Sequence, residues 1–269
     1  MYELAYSRPA SLADALALLA EDEGAQAISG GQTLMPVLRA RLAMPSRLVD
    51  LLKLPELAGI RAVDGGIEIG AATTHADVAA SGEVRAVLPA LADLAGGIGD
   101  PAIRHRGTIG GSIANNDPAA CYPSALLALG ASITTSQRIL AAEDFFTGMF
   151  STALEPGEIV TAVRFPACQR ARYIKFRNPA SRFALVGAFA AQLPSGTRIA
   201  ITGGGHGVFR WREAEAHLDS GGTIDAITED MLDLAHFTGD LHGSAEYRHH
   251  IAAVIVRRAL TALAWPRNS

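Results

Sequence analysis

Short apolar runs alternate with helix-like segments along the first half of the chain. Ser11 precedes an Ala/Leu-rich stretch and has an acid, Asp14, three residues later, which is the pattern of a helix start. The apolar run at residues 25–29 is short enough for a buried strand and leads directly into Gly30 and Gly31. The same patterns predict strands at residues 47–51 and 66–70, and helices at residues 11–20, 74–80 and 89–95. We therefore predict a mixed α/β fold.

The pattern changes near residues 166–171, where a predicted strand ends in proline. Before this point we predict a helix at residues 123–129, between Pro123 and Gly130, and strands at residues 131–135, 138–142 and 158–165. After it we predict strands at residues 172–178, 185–192 and 198–202, and then helices at residues 210–218, 229–237 and 247–263. Strands followed by helices indicate a smaller α+β domain.

Composition and charge exclude several classes of protein. The 269 residues are 49% hydrophobic and 19% charged, and the net charge of -4 comes from acidic and basic residues scattered along the chain. This balance does not favour a nucleic-acid or anionic-membrane partner. The two cysteines, Cys121 and Cys168, are too few for an iron–sulfur cluster or a structural zinc site. Without a signal peptide or a spanning apolar run, we expect a cytoplasmic protein with reduced thiols.

Two glycine-rich segments follow apolar stretches and carry the candidate chemistry. They are Ile28-Ser-Gly-Gly-Gln-Thr-Leu34 and Thr108-Ile-Gly-Gly-Ser-Ile-Ala-Asn-Asn-Asp117. Glycines let the backbone approach a ligand closely, and consecutive amides then converge on an anion such as a pyrophosphate. Thr33 is predicted to cap a helix at residues 34–42 and to direct its dipole at the same anion. Each segment alone is equally consistent with a tight turn.

Other nucleotide-binding and catalytic motifs are missing. The dense glycine run at residues 203–207 lacks the spacing of G-x-G-x-x-G and is predicted to be a strand-to-helix turn. Neither a phosphate-binding loop nor an H-E-x-x-H motif occurs, and His249 and His250 are adjacent on a predicted helix and point in different directions. Cys121 has two interpretations, a covalent nucleophile or a small buried residue, and the second is favoured.

Taken together, the two segments resemble the FAD-binding medium subunit of molybdenum-containing hydroxylases, the family of carbon monoxide dehydrogenase and xanthine dehydrogenase flavoprotein chains. The first family motif stands here as Ser29-Gly-Gly-Gln-Thr-Leu-Met-Pro36. The second stands as Arg104-His-Arg-Gly-Thr-Ile-Gly-Gly-Ser-Ile-Ala-Asn-Asn-Asp-Pro-Ala119. Further family-like stretches occur in order at residues 47–51, 69–75, 154–160 and 173–184, so the resemblance covers nearly the whole chain.

The resemblance implies a two-subdomain FAD-binding fold of the vanillyl-alcohol-oxidase type, followed by a small α+β C-terminal domain. The implied FAD-binding domain spans residues 1–168, with subdomains of about 1–55 and 56–168, and the C-terminal domain spans residues 169–269. The cofactor-binding residues implied by position are Ile28, Ser29, Gly30, Gly31, Gln32, Thr33, Leu34, Thr108, Ile109, Gly110, Gly111, Ser112, Asn115, Asp117, Leu154 and Lys175.

The implied roles differ along this set. The two glycine segments hold the FAD pyrophosphate and ribityl chain, Asn115 and Asp117 lie close to the flavin, and Leu154 packs near the isoalloxazine. Lys175 approaches the isoalloxazine edge, or is simply a solvated strand residue. Many relatives carry an acid four residues after Asp117, whereas this chain has Cys121. A thiol is a poor hydrogen-bonding group, so we expect weaker or water-mediated contact there without loss of FAD.

In such a subunit FAD itself is the redox centre, and we predict no catalytic side chains and no metal ligands. The resemblance implies a large molybdenum-binding partner and a small iron–sulfur partner, assembled as a dimer of three-subunit units. FAD would pass electrons from the clusters to a final acceptor, which in relatives is NAD, a quinone or oxygen. Two alternatives remain at this stage: a self-sufficient FAD oxidoreductase with its own substrate site, and a scaffold chain that has lost the cofactor.

Overall fold

The computed structural model describes residues 1–264. The strands are β1 (Ala5–Ser7), β2 (Ala25–Ile28), β3 (Arg47–Asp50), β4 (Ile60–Val63), β5 (Gly66–Gly70), β6 (Ser132–Thr135), β7 (Ile139–Ala141), β8 (Phe146–Gly148), β9 (Ser151–Thr152), β10 (Val160–Pro166), β11 (Ala171–Arg177), β12 (Ala184–Leu193), β13 (Gly196–Thr202) and β14 (Phe209–Arg210).

The α-helices are α1 (Leu12–Ala20), α2 (Leu34–Arg39), α3 (His75–Ala80), α4 (Gly82–Val87), α5 (Pro89–Gly96), α6 (Pro101–Arg104), α7 (Ile109–Asn115), α8 (Tyr122–Leu129), α9 (Ala142–Phe145), α10 (Arg212–Asp219) and α11 (Ala245–Ala264). No helix in the described part of the chain is long and apolar enough to span a bilayer.

The first sheet is parallel, with strand order β1-β3-β2. Its central strand β3 buries Leu48 and Val49 completely or nearly so, and α1 covers it with Ala15. The side chain of Ser11 caps α1 by accepting from the amide of Asp14 at 3.1 Å, as the sequence pattern predicts. The carboxyl end of β2 leads straight into the first glycine segment.

The second sheet has the order β4-β5-β10-β6-β7, and its pairs are antiparallel. Helices α5, α7 and α8 pack with it to form the main core. Every residue of α8 is buried, because the helix lies between β10 of this sheet and strands β12 and β13 of the next. Gly130 ends α8 in a left-handed conformation at φ +62°, as predicted.

The third sheet is antiparallel, with the order β11-β12-β13-β14. Strand β12 is buried over eight successive residues because α8 covers one face of the sheet and the long helix α11 covers the other. Trp211 and the apolar side of α11 complete this core. The last five residues of the predicted C-terminal domain, 265–269, lie outside the described residues.

One helix prediction is wrong, and two others are confirmed in position but differ at one end. The helix predicted at residues 229–237 is two separate 3₁₀ turns, Glu229–Met231 and Leu234–His236, because the Asp233 side chain caps the second turn and interrupts a continuous helix. The helix predicted at 34–42 ends at Arg39, shortly before Arg41 turns the chain with φ +59°. The helix predicted at 210–218 begins at Arg212, because Arg210 pairs with β13.

Candidate functional site

A cavity of about 610 Å³ lies where the three sheets approach one another. Its walls come from both glycine segments, from the chain between Leu154 and Val160, and from β11 with the following loop up to Phe183. Elements distant in sequence therefore form one site.

The first glycine segment is an open loop between β2 and α2. Among the described residues, the backbone amides of Gly30, Gly31, Gln32 and Thr33 have no hydrogen-bond acceptor. Gly31 adopts φ +71°, a conformation that favours glycine, and Gly30 fits only because it lacks a Cβ, which would lie 2.1 Å from the Arg106 carbonyl oxygen. Thr33 sits at the start of α2 but its side chain makes no capping bond, so that part of the prediction is wrong. The spare amides can bind an anion.

The second glycine segment forms helix α7, and its first amides are already used. Ile109 donates to the Thr73 carbonyl at 3.1 Å and Gly110 to the Ala71 carbonyl at 2.9 Å, while Gly111 donates to Thr108 Oγ1 at 3.2 Å. A Cβ on Gly110 would lie 2.5 Å from the Cβ of Ala71. The expectation that these amides converge on an anion therefore does not hold here, and the segment supplies a tightly packed wall.

A side-chain hydrogen bond joins the two segments. Thr108 Oγ1 donates to Ser29 Oγ at 3.0 Å while it caps α7. These residues are 79 positions apart in sequence. The bond fixes the spare amides of the first loop relative to the wall formed by the second segment.

The structure brings most of the predicted site residues to this cavity. Those that line it are Ile28, Ser29, Gly30, Gly31, Gln32, Thr33, Leu34, Thr108, Gly110, Gly111, Ser112, Asn115, Asp117, Leu154 and Lys175. Ile109 does not line it, because the phase of α7 turns its side chain into the main core, where it is fully buried. Whether the lining residues contact a cofactor stays a prediction.

Lys175 and Cys121 meet at the cavity wall. Lys175 Nζ lies 3.4 Å from Cys121 Sγ and donates to the Arg182 carbonyl at 3.1 Å. Lys175 is half-buried and lines the cavity, so it is not simply a solvated strand residue. The thiol of Cys121 is buried, as the small-residue interpretation predicts.

Two carboxylates also line the cavity, in different electrostatic environments. Burial raises the pKa of Asp117, although its carboxylate accepts from the Ala119 amide. Burial also opposes ionisation of Glu158, but hydrogen bonds from Arg138, the Glu155 amide and Thr135 outweigh it and lower the pKa to about 2. Arg138 lies 3.0 Å from Glu158 and balances its charge.

Sequence reasoning missed His75, which also lines the cavity. Its side chain is 5% exposed, its Nδ1 is buried without a partner in the described structure, and its ring lies 5.4 Å from that of Tyr122. Burial, with Arg104 nearby, lowers its pKa to about 4, so the imidazole is neutral near pH 7. The available signal was its place directly after the Thr74 cap of α3.

Sequence reasoning also missed Phe150, which lines the cavity at φ +52°. Asn116 holds this turn: its side chain donates to the carbonyls of Gly148 and Ser151 at 2.7 and 2.8 Å. Its own carbonyl accepts from the Phe150 amide at 3.1 Å. No sequence pattern distinguished Phe150 from other surface aromatic residues.

This arrangement fits a long, partly apolar dinucleotide with a central pyrophosphate. The four spare amides can bind an anion, most of the cavity lining is apolar, and in the described structure His75 supplies a buried polar atom without a partner. The groups present therefore fit FAD.

Comparisons with known proteins agree with this chemistry. Residues 2–168 match the family described as "FAD binding domain in molybdopterin dehydrogenase". The chain is 35% identical to the nicotine 6-hydroxylase medium subunit of Paenarthrobacter nicotinovorans, over 95% of both chains. It is 36% identical to the carbon monoxide dehydrogenase medium chain of Afipia carboxidovorans, over 95% of this chain and 94% of that one.

Solved structures show the same relationship. Carbon monoxide dehydrogenase from Hydrogenophaga pseudoflava contains a chain that superposes with a TM-score of 0.92 at 34% identity, covering 98% of both chains. Quinoline 2-oxidoreductase from Pseudomonas putida 86 contains one with a TM-score of 0.88 at 30% identity, covering 98% of this chain and 97% of that one.

The chain therefore belongs to the family of FAD-binding subunits of molybdopterin dehydrogenases. The predicted family and fold class are confirmed, and FAD is the cofactor of this chain. It is a component of an oxidoreductase, and an electron-transfer subunit is favoured over a self-sufficient flavoenzyme.

Proposed function

We propose that this chain carries FAD between the iron–sulfur clusters of a small partner subunit and the final electron acceptor of a molybdenum-dependent dehydrogenase. A large partner would bind the molybdenum cofactor and oxidise the substrate. The observation that carries the proposal is the cavity with four spare amides beside a packed wall, in a chain that resembles medium subunits over nearly its whole length.

FAD, when bound, accepts and releases electrons, while the protein binds it, orients it and limits its contact with water. We assign the pyrophosphate to the amides of residues 30–33, and the ribityl chain to the hydroxyls of Thr108 and Ser112. Asn115, Asp117 and Leu154 would then lie beside the isoalloxazine, with Lys175 at its edge. The Ser29–Thr108 bond keeps the two walls at a fixed separation.

We further propose a dimer of three-subunit units in the cytoplasm. The relatives named medium chains or subunits support large and small partner subunits, and the two free cysteines support a reducing compartment. Within the chain, we propose an FAD-binding domain at residues 1–168, with subdomains of about 1–55 and 56–168, and a C-terminal domain at 169–269. The first and second sheets lie before residue 168 and the third sheet begins at Ala171.

The first experiment is a visible absorption spectrum of the purified chain, followed by release of its chromophore under mild denaturation. We expect a flavin spectrum and released FAD. Riboflavin, which lacks the pyrophosphate, should bind much more weakly than FAD because it cannot use the spare amides. A folded, colourless chain that does not bind added FAD would contradict the site assignment.

The assembly is tested separately by co-expressing the chain with the proposed large and small partner subunits and measuring the native mass. We expect a complex that contains all three chains twice. A native mass equal to that of this chain alone would overturn the proposed assembly and leave the FAD site untouched.

A further inference from the structure

Lys175 places a positive charge on the cavity wall without a carboxylate to balance it. Its Nζ contacts a thiol, Cys121 Sγ, at 3.4 Å and a carbonyl, that of Arg182, at 3.1 Å. Among the described residues, no carboxylate lies within 4.0 Å of it. A positive charge on this ammonium group therefore has no carboxylate partner within ion-pair distance in the described part of the chain.

The other ionisable groups near this wall do not cancel that charge. Glu158 is fully buried and is paired with Arg138 at 3.0 Å. Burial raises the pKa of Asp117 and weakens its negative charge. Burial and the neighbouring Cys121 raise the pKa of Tyr173, so Tyr173 remains a neutral phenol.

Residue 121 is the position at which a counter-charge would be effective, because its side chain already contacts Lys175. A carboxylate there would form an ion pair with the ammonium group, whereas the cysteine contributes only a weak acceptor. The choice of cysteine at this position therefore leaves the wall more positive than an acid would.

We propose that Lys175 and Cys121 form a pair that tunes the flavin, in which an uncompensated ammonium charge favours the reduced cofactor over the oxidised one. Two-electron reduction with uptake of one proton from water gives the flavin one negative charge, which the ammonium group of Lys175 attracts. The electrons come from the iron–sulfur partner and leave to the acceptor. This inference rests on the proposed function, which places the isoalloxazine beside Lys175.

The test measures the ratio of reduced to oxidised FAD bound to the chain, in equilibrium with a reference dye of known potential. Cys121→Asp adds the missing counter-charge and should lower this ratio about tenfold, which corresponds to about 30 mV for a two-electron couple. Lys175→Gln removes the positive charge and should lower the ratio in the same direction. Cys121→Ser keeps a neutral side chain of similar size and should leave the ratio within about twofold of wild type.

A second measurement locates the thiol independently of the potential. Cys121 lines the cavity whereas Cys168 does not, so added FAD should slow alkylation of Cys121 by iodoacetamide and leave Cys168 unaffected. Cys168→Ser serves as the matched control and should leave the ratio of reduced to oxidised FAD unchanged.

The outcomes separate this inference from the proposed function. If the wild-type chain binds no FAD, the proposed function fails. If it binds FAD and the ratio is unchanged in Cys121→Asp and Lys175→Gln, only the tuning pair is overturned. A ratio raised well above wild type in Cys121→Ser would mean that the thiol is ionised and already balances Lys175, which also overturns the inference. If Cys121→Asp does not retain FAD, the ratio measured in Lys175→Gln alone tests the inference, and an unchanged ratio there overturns it.

Discussion

The two glycine pairs of this chain, Gly30-Gly31 and Gly110-Gly111, are similar in sequence and opposite in use. The first lies in a loop whose amides have no acceptor among the described residues, whereas the amides of the second are bound within the protein. The first pair leaves backbone groups free for a ligand, while Gly110 lets a helix pack directly against Ala71. A glycine pair beside an apolar run therefore does not by itself indicate an anion site. Whether the segment can bind an anion depends on whether its amides already donate to acceptors within the protein.

The largest expected difference between the two segments is in amide hydrogen exchange. Without FAD, the amides of residues 30–33 should exchange fast, because none of them donates within the described structure. On addition of FAD they should slow by orders of magnitude, while the amides of residues 109–112 are slow in both states. Exchange followed by mass spectrometry measures both segments in one experiment. If FAD slowed exchange equally in both segments, the difference between their amides described above would be contradicted.

Alanine substitutions in the two pairs should destabilise the chain by different mechanisms. Gly110→Ala forces a methyl group to within 2.5 Å of Ala71 Cβ and should lower the free energy of unfolding by about 3 kcal/mol. Gly31→Ala meets no close backbone atom but must adopt φ +71°, which costs about 1 kcal/mol. Urea unfolding of the FAD-free chain measures both.

The control for this series is Gly96→Ala, at the end of α5. Its added methyl group has its nearest contact at 3.8 Å, and the change should be within about 1 kcal/mol of wild type. If Gly110→Ala were as stable as Gly96→Ala, the second segment would not be the packed wall described above.

His75 supports the second segment and gives the smallest predicted effect, a dependence of stability on pH. Its imidazole lies under Gly107, and burial lowers its pKa from 6.5 to about 4. Below pH 6.5, His75 binds a proton in the unfolded chain but stays neutral in the folded chain. The free energy of unfolding therefore falls as the pH is lowered from 6.5 to about 4. The slope from this group is at most about 1.4 kcal/mol per pH unit.

His75→Gln should remove this slope, as seen by thermal or urea unfolding at a series of pH values. Exposed His206→Gln is the matched control and should retain the wild-type slope. Should His75→Gln and wild type follow parallel curves across the window, the buried neutral imidazole would be contradicted.

Much of the fold followed from periodicity and caps, since Ser11 begins α1 and Gly130 ends α8 as the patterns predicted. Sequence patterns misplaced helix boundaries where a single side chain or contact set them. Asp233 caps a separate 3₁₀ turn within the helix predicted at 229–237, and Arg210 pairs with β13 instead of starting α10. For the site, the motifs brought the right segments to the cavity but assigned Ile109 to it as well, although the phase of α7 buries that side chain. His75 and Phe150 required the tertiary structure, because their surroundings come from distant segments.

Helix α8 is buried on all sides between the second and third sheets, and this limits how the chain can be divided. A fragment that stops near residue 168 would retain α8 but lose β12 and β13, leaving an apolar helix face in water. Such a truncation should aggregate even though it contains both glycine segments. The C-terminal third therefore completes the core that supports the cofactor site, and recombination between relatives should exchange the chain whole.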